Sequence, residues 1–543
     1  MSLGPLGGAR FKLDTLRRIV ESGLVRPTMP DRLAKAGIAL WRFGPTPAAA
    51  CVASAVRYPT ELALIDERGQ LTYGELNERT NALAHALSDQ GLGEGDNVAL
   101  LCRNHRGFVE ATVACSKLGA NALYLNTGFA GPQIAEVVAR EQAAALIYDD
   151  EFASLIGDAG RRDQRFIAWR GDVEDDLPEP TLDDLISVGD RSDVVAPAKQ
   201  GRTTILTSGT TGTPKGANRA VSGLDPIGAL LSKIPLRAHF VTIDAPPMFH
   251  AWGFANFLIA LAMSSPLVLR RKFDPRTTLE DVAMHQAEAL VMVPVMLQRL
   301  LDLDPRELEG YDTSSLRVIA LSGSALPPAL VERGLERFGD VLYNLYGSTE
   351  VAWATIATPE DLRAAPGTAG KPPRGTIVKL FDDDGTEVLD GDRGRIFVGN
   401  EMLFEGYTGG GSKDMIDGLM ATGDVGHFDE NGRLFIDGRS DDMIVSGGEN
   451  VFPAEIEDVI ASHASVVEAA VIGVPDPDFG QRLKAFVVVR KGAKLSADEV
   501  KAHVRSNLAR YKVPREVELV DELPRNPTGK VLKRELEDRD QDE

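Results

Sequence analysis

A ten-residue stretch rich in glycine and hydroxyl side chains has the residue types that bind phosphate. Its sequence is Thr207-Ser-Gly-Thr-Thr-Gly-Thr-Pro-Lys-Gly216. Glycine lets backbone N–H groups approach phosphate oxygens, the hydroxyl groups add donors, and Lys215 adds a positive charge. It is not a Walker A loop, because Lys215 is followed by Gly216 and not by Ser or Thr. The stretch indicates nucleotide chemistry, and a Gly/Thr-rich surface turn is the alternative from composition alone.

Five more motifs place polar residues at fixed spacing along the chain. They are Leu71-Thr-Tyr-Gly-Glu-Leu76, Tyr346-Gly-Ser-Thr-Glu350, Thr422-Gly-Asp424, the segment 438–457 that begins Gly-Arg-Ser-Asp-Asp, and Pro524-Arg-Asn-Pro-Thr-Gly-Lys530. Together with the phosphate loop, these motifs resemble the adenylate-forming superfamily of acyl-CoA synthetases, luciferases and peptide-synthetase adenylation domains. The resemblance runs from Leu71 to Lys530.

The elements that must position these motifs alternate between strand-like and helix-like patterns from about residue 60 to 400, which is typical of βαβ units. Thr203–Thr207 is expected to be a strand that runs into the phosphate loop, where ligands of α/β sheets collect. Short strands and turns between Val378 and Phe435 predict an antiparallel piece. Strands at 467–472 and 485–489 and a helix at 497–509 are expected in a final unit.

The expected fold is α/β, with a large N-terminal domain and a small mobile α+β C-terminal domain. The large domain should contain two βα-layered sheets plus a small antiparallel β subdomain. We expect a basic, partly helical extension at 1–58, an AMP-binding domain at 59–439 and the C-terminal domain at 440–543.

The resemblance implies which residues bind nucleotide. For ATP and AMP they are Thr207, Ser208, Gly209, Thr210, Thr211, Gly212, Lys215, Gly323, Ser324, Ala325, Asn344, Tyr346, Gly347, Ser348, Thr349, Asp424 and Arg439. In the family the phosphate loop holds the β- and γ-phosphates, Tyr346 would lie against adenine, and Asp424 would bind the ribose. Glu350 is implied as catalytic metal ligand, since Mg²⁺ prefers carboxylate oxygen.

Lys530 is implied as the catalytic residue that reaches from the C-terminal domain to the reacting carboxylate and the α-phosphate. Asp441 aligns with the hinge about which that domain rotates before thiol transfer. Gly447 and Gly448 align with the wall of the CoA tunnel, where glycine leaves room for the pantetheine arm.

The acyl site is implied by Pro246-Pro-Met-Phe-His250-Ala-Trp-Gly-Phe254, which resembles the family segment beside the substrate carboxylate. His250 would be a catalytic residue that orients the carboxylate, and a core histidine is the alternative. Trp252 and Asn256 would bind the acyl group. The apolar run 254–263 favours an aliphatic tail.

Charge and cysteine content limit the possible binding partners and the cellular compartment of the protein. A formal charge of −21 argues against a nucleic-acid partner. Cys51, Cys102 and Cys115 are odd in number and lack metal-ligand spacing, which predicts reduced thiols, no zinc site and a cytoplasmic location. No secretory signal is recognised at the start. The uncharged stretch 251–269 approaches the length of a membrane span, but Ser264-Ser-Pro266 predicts a helix that ends near Met263, followed by a strand.

The N-terminal extension reverses the sign of the charge. Its first 45 residues hold eight Lys or Arg against three acids. Four apolar residues recur there at helical spacing and predict a short amphipathic helix: Leu13, Leu16, Val20 and Leu24. Packing of this helix on the main body is the first interpretation, and peripheral membrane contact is the alternative.

The predicted function is ATP-dependent activation of a medium- or long-chain fatty acid to acyl-AMP, followed by transfer to CoA, with ATP, Mg²⁺ and CoA as cofactors and co-substrates. An acyl-AMP ligase that loads a carrier protein and an aryl-acid CoA ligase remain alternatives. A regulatory nucleotide-binding protein without turnover would be expected to lack Glu350 or Lys530, and both are present.

Overall fold

A computed structural model describes residues 14–26, 29–171, 178–207, 215–218, 225–389, 391–404, 406–407, 412–440, 442–446, 449–476, 480–527 and 529–542. The chain divides into two compact units. The first unit comprises 1–292, 302–320 and 401–412, and the second comprises 293–301, 321–400 and 413–543. Both units mix helices with sheets, so the predicted α/β class is confirmed.

The first unit contains most of the helices and the parallel strands. Its helices lie at 14–21, Pro30–Phe43, Pro47–Arg57, Tyr73–Asp89, Arg106–Leu118, Gly131–Arg140, Ala153–Ile156, Leu182–Val188, Asp225–Leu231, Ala251–Ala262, Pro275–His285 and Pro305–Glu309, with 3-10 turns at Asp150–Phe152 and Arg162–Gln164. Its strands are Leu62–Asp66, Gly69–Thr72, Asn97–Leu101, Asn121–Tyr124, Ala143–Asp149, Arg165–Trp169, Thr203–Thr207, Lys215–Asn218, Thr242–Asp244, Leu267–Val268, Ala289–Met292, Val318–Leu321 and Gly406–Tyr407.

These strands form two groups. Seven of them make a sheet in the order Gly406–Tyr407, Lys215–Asn218, Thr203–Thr207, Asn121–Tyr124, Asn97–Leu101, Ala143–Asp149 and Arg165–Trp169. The last five of that order are parallel. In the second group, Thr242–Asp244 lies parallel between Ala289–Met292 and Leu267–Val268. Parallel strands covered by helices are the βαβ arrangement expected from the sequence.

Helix starts in this unit follow the local sequence. Thr72 and Glu75 form a capping box at the start of helix Tyr73–Asp89, as their spacing predicts. The Thr72 hydroxyl accepts from the Glu75 N–H, and the Glu75 carboxylate accepts from the Thr72 N–H at 2.8 Å. Thr181 and Asp184 repeat the arrangement at helix Leu182–Val188.

The uncharged stretch 251–269 is a helix, Ala251–Ala262, followed by the strand Leu267–Val268, as expected. Within the described residues, no helix is both long and apolar enough to span a membrane.

The prediction of an N-terminal helix is confirmed, but the residues that it buries are not those of the predicted apolar stripe. Residues 14–21 are helical, yet Leu16 and Val20 are 56% and 60% exposed. Thr15 and Ile19 are buried instead. Thr15 lies against Gly228, where any side chain would come within 2.7 Å of its methyl group. The helix therefore packs on the main body, as the first interpretation has it, but through Thr15 and Ile19 and not through Leu16 and Val20. Leu13 lies outside the described residues.

The second unit contains most of the antiparallel strand pairs. Its helices are Pro294–Leu301, Pro328–Phe338, Pro359–Ala364, Pro453–Ala461, Ala497–Asn507 and Lys533–Asp542, with a 3-10 turn at Arg510–Lys512. Its strands are Leu342–Tyr346, Thr355–Ala357, Ile377–Phe381, Gly394–Gly399, Met415–Ile416, Leu419–Phe428, Leu434–Arg439, Ile444–Ser446, Glu449–Val451, Val466–Asp476, Gly480–Val489 and Glu516–Val520. The antiparallel sheet expected between 378 and 435 is confirmed.

The C-terminal part of this unit is a small sheet covered by helices. Val466–Asp476 pairs antiparallel with Gly480–Val489, which pairs parallel with Glu516–Val520. The acidic end of the chain is the helix Lys533–Asp542, which buries Leu536 completely. One apolar residue thus anchors a segment that composition alone describes as solvent-exposed.

Candidate functional site

Tyr346 and Asp424 form the centre of a polar cluster in the second unit. Tyr346 ends strand Leu342–Tyr346, and its hydroxyl donates to Asp424 Oδ2 at 2.5 Å. The Thr422 hydroxyl donates to the Ile396 carbonyl and accepts from the Asp424 N–H at 3.1 Å. Burial and the neighbouring carboxylate raise the pKa of Tyr346 well above its ordinary value, so its hydroxyl keeps the proton that it donates.

Two cations approach the same carboxylate. Strand register places Asp424 opposite Arg439, and Arg439 Nη1 lies 3.5 Å from Asp424 Oδ1. Burial raises the pKa of Asp424 above its ordinary value, against the opposing effects of Tyr346, Arg439 and Lys530. The structure therefore brings together four residues that were assigned from separate motifs.

A tight turn after Tyr346 presents Thr349 and Glu350. The Ser348 hydroxyl accepts from the Glu350 N–H at 3.2 Å. Gly347 has no room for a side chain, since a Cβ would lie 2.1 Å from the Ala352 carbonyl oxygen. Ala352 itself adopts a positive φ of 62°. Asn344 lies two residues before Tyr346 and hence on the same face of its strand.

Asn400 is a supporting residue that the sequence did not reveal. Its amide nitrogen donates to the carbonyls of Val351 and Trp353, each at 2.9 Å. These bonds tie the end of strand Gly394–Gly399 to the turn that carries Glu350. No local motif marks such a residue, because its role depends on a contact between distant segments.

Lys530 lies on a closed turn. The Asn526 side chain accepts from the Lys530 N–H at 2.9 Å, the Asn526 N–H donates to the Lys530 carbonyl at 3.0 Å, and the Gly529 N–H donates to the Asn526 carbonyl at 2.9 Å. Arg525 donates to the Gly529 carbonyl and pairs with Glu468. The Lys530 side chain is exposed, and its charge is among those that lower the pKa of Asp424. Thus the ammonium lies close enough to the Tyr346–Asp424 cluster to act on it electrostatically.

The turn is seated against two valines at the start of helix Pro294–Leu301. Gly529 has a φ of 81°, and a Cβ there would lie 2.4 Å from Val295 Cγ1 and 3.6 Å from Val293 Cγ2. Gly323, which follows strand Val318–Leu321 and precedes Ser324 and Ala325, has a φ of 96°, and its Cβ position is 3.3 Å from Val293 Cγ1. Val293 therefore lies beside both a glycine of the implied adenine-binding segment and the glycine next to Lys530.

In the first unit, the ends of the phosphate loop are paired. Strand Thr203–Thr207 is confirmed, and it pairs antiparallel with Lys215–Asn218 in a register that opposes Thr207 and Lys215. The two ends of the loop thus lie on adjacent strands. Its residues Ser208, Gly209, Thr210, Thr211 and Gly212 lie outside the described residues.

His250 is the residue before helix Ala251–Ala262, and its imidazole makes no hydrogen bond to the start of that helix. Burial lowers its pKa from 6.5 to about 4, so the ring carries no charge at neutral pH. Its Nε2 is buried and makes no hydrogen bond within the described part of the chain. A buried nitrogen without a partner is costly unless a ligand satisfies it. This observation favours a substrate-binding His250 over a core histidine.

The polar side chains that follow on this helix form hydrogen bonds within the protein. Trp252 Nε1 donates to the Met292 carbonyl at 3.1 Å, and Asn256 Nδ2 donates to the Trp252 carbonyl at 2.9 Å. Phe254 and Phe257 are buried against Phe108 and Tyr124. The apolar character of the run 254–263 therefore reflects core packing, and the inference of an aliphatic substrate from it loses its basis.

A buried group of Cys102, His105 and Asp149 was not recognised from spacing. Their potential ligand atoms lie within 4.8 Å of one another. His105 Nε2 is 2.8 Å from Asp149 Oδ1, and its Nδ1 accepts from the Gly107 N–H. The Cys102 thiol donates to the Ile147 carbonyl. These hydrogen bonds account for the group as part of the core.

Comparison with known proteins decides the family. The model for the AMP-binding enzyme family matches residues 51–408, and that for the AMP-binding enzyme C-terminal domain matches residues 455–530. The chain belongs to the AMP-binding enzyme family. The suspected relationship to adenylate-forming ligases is thereby confirmed.

Several members of the AMP-binding enzyme family are similar over nearly their whole length. A feruloyl-CoA synthase of Amycolatopsis sp is 34% identical over 479 residues, which cover 86% of this chain and 94% of that protein. A fatty acid–[acyl-carrier-protein] ligase, ScoC, of Streptomyces coeruleorubidus is 31% identical over 505 residues, covering 89% and 94%. The crystal structure of the anthranilate CoA ligase AuaEII in complex with anthranoyl-AMP superposes with a TM-score of 0.80 at 26% identity, covering 91% and 97%.

Acid–CoA ligases of the AMP-binding enzyme family use ATP, Mg²⁺ and CoA. Thr349 and Glu350 offer the hard oxygen donors that Mg²⁺ prefers, on a turn held by Ser348, so the residues fit this ion. Bound there, Mg²⁺ would neutralise phosphate charge. The hinge residue Asp441 and the tunnel residues Gly447 and Gly448 lie outside the described residues and stay predictions.

The shifted pKa of His250 predicts a pH-dependent stability. As the pH falls, His250 takes up a proton near its ordinary pKa of 6.5 in the unfolded chain, but only near about 4 in the folded chain. Stability contributed by the neutral imidazole is therefore present above pH 6.5 and lost towards about pH 4. When the pH is lowered from about 7.5 to 5.5, the free energy of unfolding should fall by about 1 kcal/mol more in the native protein than in the variant His250→Gln. Urea denaturation at both pH values measures this, and equal losses would show that His250 is not buried in the neutral form.

Proposed function

We propose that this protein activates a ring-bearing hydrophobic carboxylic acid with ATP and transfers the acyl group to CoA. The observation that carries the adenylation chemistry is the convergence of Lys530, Arg439 and Tyr346 on Asp424 in one unit. The proposal of a ring-bearing acid rests on relatives that act on ferulate and anthranilate.

Adenylation joins a carboxylate oxygen to the α-phosphorus and releases pyrophosphate. Both reactants are anions, so the site must neutralise charge and align them. We assign this neutralisation to Lys530, assisted by Arg439. Asp424 would accept hydrogen bonds from the ribose hydroxyls. The Tyr346 hydroxyl donates a hydrogen bond to Asp424 and would hold its carboxylate in place. The neutral His250 would offer Nε2 to the substrate carboxylate.

In the second step the CoA thiolate attacks the acyl carbon, and AMP leaves. We propose that the C-terminal part rotates about Asp441 to exchange Lys530 for the thiol entrance at Gly447 and Gly448. A single linker residue can absorb the dihedral change of such a rotation.

A medium- or long-chain fatty acid is the second candidate. It is supported by the similarity to ScoC, a fatty acid ligase. ScoC also transfers to a carrier protein, which keeps that acceptor as an alternative to CoA. We place the reaction in the cytoplasm, because Cys51, Cys102 and Cys115 are all free thiols.

A panel of acids tests this proposal. Ferulate, anthranilate, indoleacetate, octanoate and palmitate are each assayed for CoA-dependent AMP release, with Lys530→Ala as the inactive control. We expect at least one ring-bearing acid to exceed both fatty acids in kcat/KM by about tenfold or more. The reverse ranking would establish the fatty acid reading. Thioester formed only when carrier protein replaces CoA would contradict the proposed acceptor.

A further inference from the structure

The N-terminal extension exposes an unusual concentration of apolar side chains. Among the described residues, seventeen large hydrophobic side chains are exposed, and eight of them lie between residues 16 and 41. They are Leu16, Val20, Val25, Met29, Leu33, Ile38, Leu40 and Trp41. Single exposed apolar residues are ordinary, but a contiguous group marks an interaction surface.

Helix Pro30–Phe43 is apolar on two sides. Its inner side consists of Ala36, Ala39 and Phe43, which are buried and belong to clusters with helix Pro47–Arg57. Its outer face consists of Leu33, Ala34, Gly37, Ile38 and Trp41, which recur at i, i+3 and i+4 and are all exposed. Trp41 is 85% exposed and Ile38 is 52% exposed. The inner side already accounts for the packing of the helix, so the outer face is available to a partner.

Basic residues border this outer face. Lys35 and Arg42 lie one turn to either side of Ile38 and are exposed, and the exposed Asp31 lies one turn before Lys35 on the same edge. Arg17, Arg26 and Arg32 lie nearby in the chain. Arg32 and Arg42 are held in place by donating to the carbonyls of Arg57 and Val194. A basic border is distinctive in a chain whose net charge is −21.

We infer that the outer face of helix Pro30–Phe43 docks on the surface of an anionic lipid bilayer. A helix with an apolar face, a tryptophan and flanking Lys and Arg lies in the plane of the interface, with its apolar residues at the boundary between headgroups and acyl chains. Each Lys or Arg near an anionic surface adds about 1 kcal/mol of attraction. The acidic remainder of the chain would be repelled, so the contact is confined to this extension.

Charge favours lipid over a second copy of the chain. In a two-fold dimer the same patch meets itself, so Lys35 and Arg42 of both copies would be brought to one interface. Like charges across an interface oppose association. An anionic bilayer instead satisfies both the apolar face and its border.

Vesicle co-sedimentation of the full-length protein tests this inference. Vesicles of phosphatidylcholine alone are compared with vesicles of phosphatidylcholine and phosphatidylglycerol in equal parts. We expect binding to the anionic vesicles that weakens with salt. The variants Ile38→Asp/Trp41→Asp and Lys35→Glu should each lower the partition coefficient, the first by about tenfold or more. The matched control is Val188→Asp/Val195→Asp, which adds the same charge at two residues that are each 82% exposed, and should bind as the native chain does.

Three results would overturn the inference. They are no binding to anionic vesicles, equal binding by the native chain and Ile38→Asp/Trp41→Asp, or light scattering that shows a native dimer which this variant converts to a monomer. Turnover of a water-soluble acid should be unchanged in every variant, which separates failure of membrane docking from failure of the proposed ligase activity. Thermal unfolding of each variant confirms that the fold is retained.

Discussion

Replacement of Lys530 by alanine is expected to slow acyl-adenylate formation about 10²- to 10³-fold. Lys530 lies on a closed turn, and its charge acts on Asp424 electrostatically. We propose that its ammonium neutralises the negative charge that accumulates during attack on the α-phosphorus. Transfer from a supplied acyl-adenylate to CoA should be unchanged, because that step no longer joins two anions at phosphorus. Carboxylate-dependent exchange of pyrophosphate into ATP measures the first step, and thioester formation from the acyl-adenylate measures the second.

Two variants control this result. Lys491→Ala removes an exposed lysine of the same unit and should leave both steps intact. Asp441→Pro should show the opposite pattern, with adenylation retained and thioester formation lost, since proline fixes the φ angle at the proposed hinge. Equal loss of both steps in Lys530→Ala would contradict the assignment of this residue to adenylation.

The sequence predicts the cluster around Asp424 well because each member lies in a separate local motif. Tyr346 ends a strand, Asp424 and Arg439 face each other across two adjacent strands, and Lys530 follows a turn rich in Pro and Gly. Motif chemistry identifies such residues one at a time. Their proximity comes from the strand register and the seating of the turn, both of which the structure supplies.

Two differences between the sequence-based expectations and the structure have the same physical cause. Helical periodicity identifies an apolar stripe, but not what the stripe meets. At residues 14–21, the small Thr15 fits against Gly228, so Leu16 and Val20 point to solvent. At Ala251–Ala262 the apolar run packs in the core, so its apolar character carries no information about the substrate. The role of Asn400 is not predictable from local sequence for a related reason, since its hydrogen-bond partners lie about fifty residues away in the chain.

Substitution of Gly529 by alanine should impair adenylation almost as strongly as loss of the lysine itself. The added Cβ would lie 2.4 Å from Val295 Cγ1, and the φ of 81° costs a side chain about 1 to 2 kcal/mol. The turn must therefore move away from Val293 and Val295 and carry Lys530 with it. A displacement of about 1 Å from the productive position can lower a rate about 10²-fold. Thioester formation from a supplied acyl-adenylate should be retained, because Lys530 is not required there.

A second substitution separates displacement from unfolding. Val295→Ala removes the methyl group that the new Cβ would meet, so the double variant Val295→Ala/Gly529→Ala should regain adenylation relative to Gly529→Ala. The recovery should be incomplete, since the backbone strain at Gly529 remains. Single-turnover formation of acyl-adenylate in the four proteins of this cycle gives the coupling between the two sites. Additive effects would mean that Gly529 and Val295 do not meet during adenylation, and that the turn reaches the nucleotide by another approach.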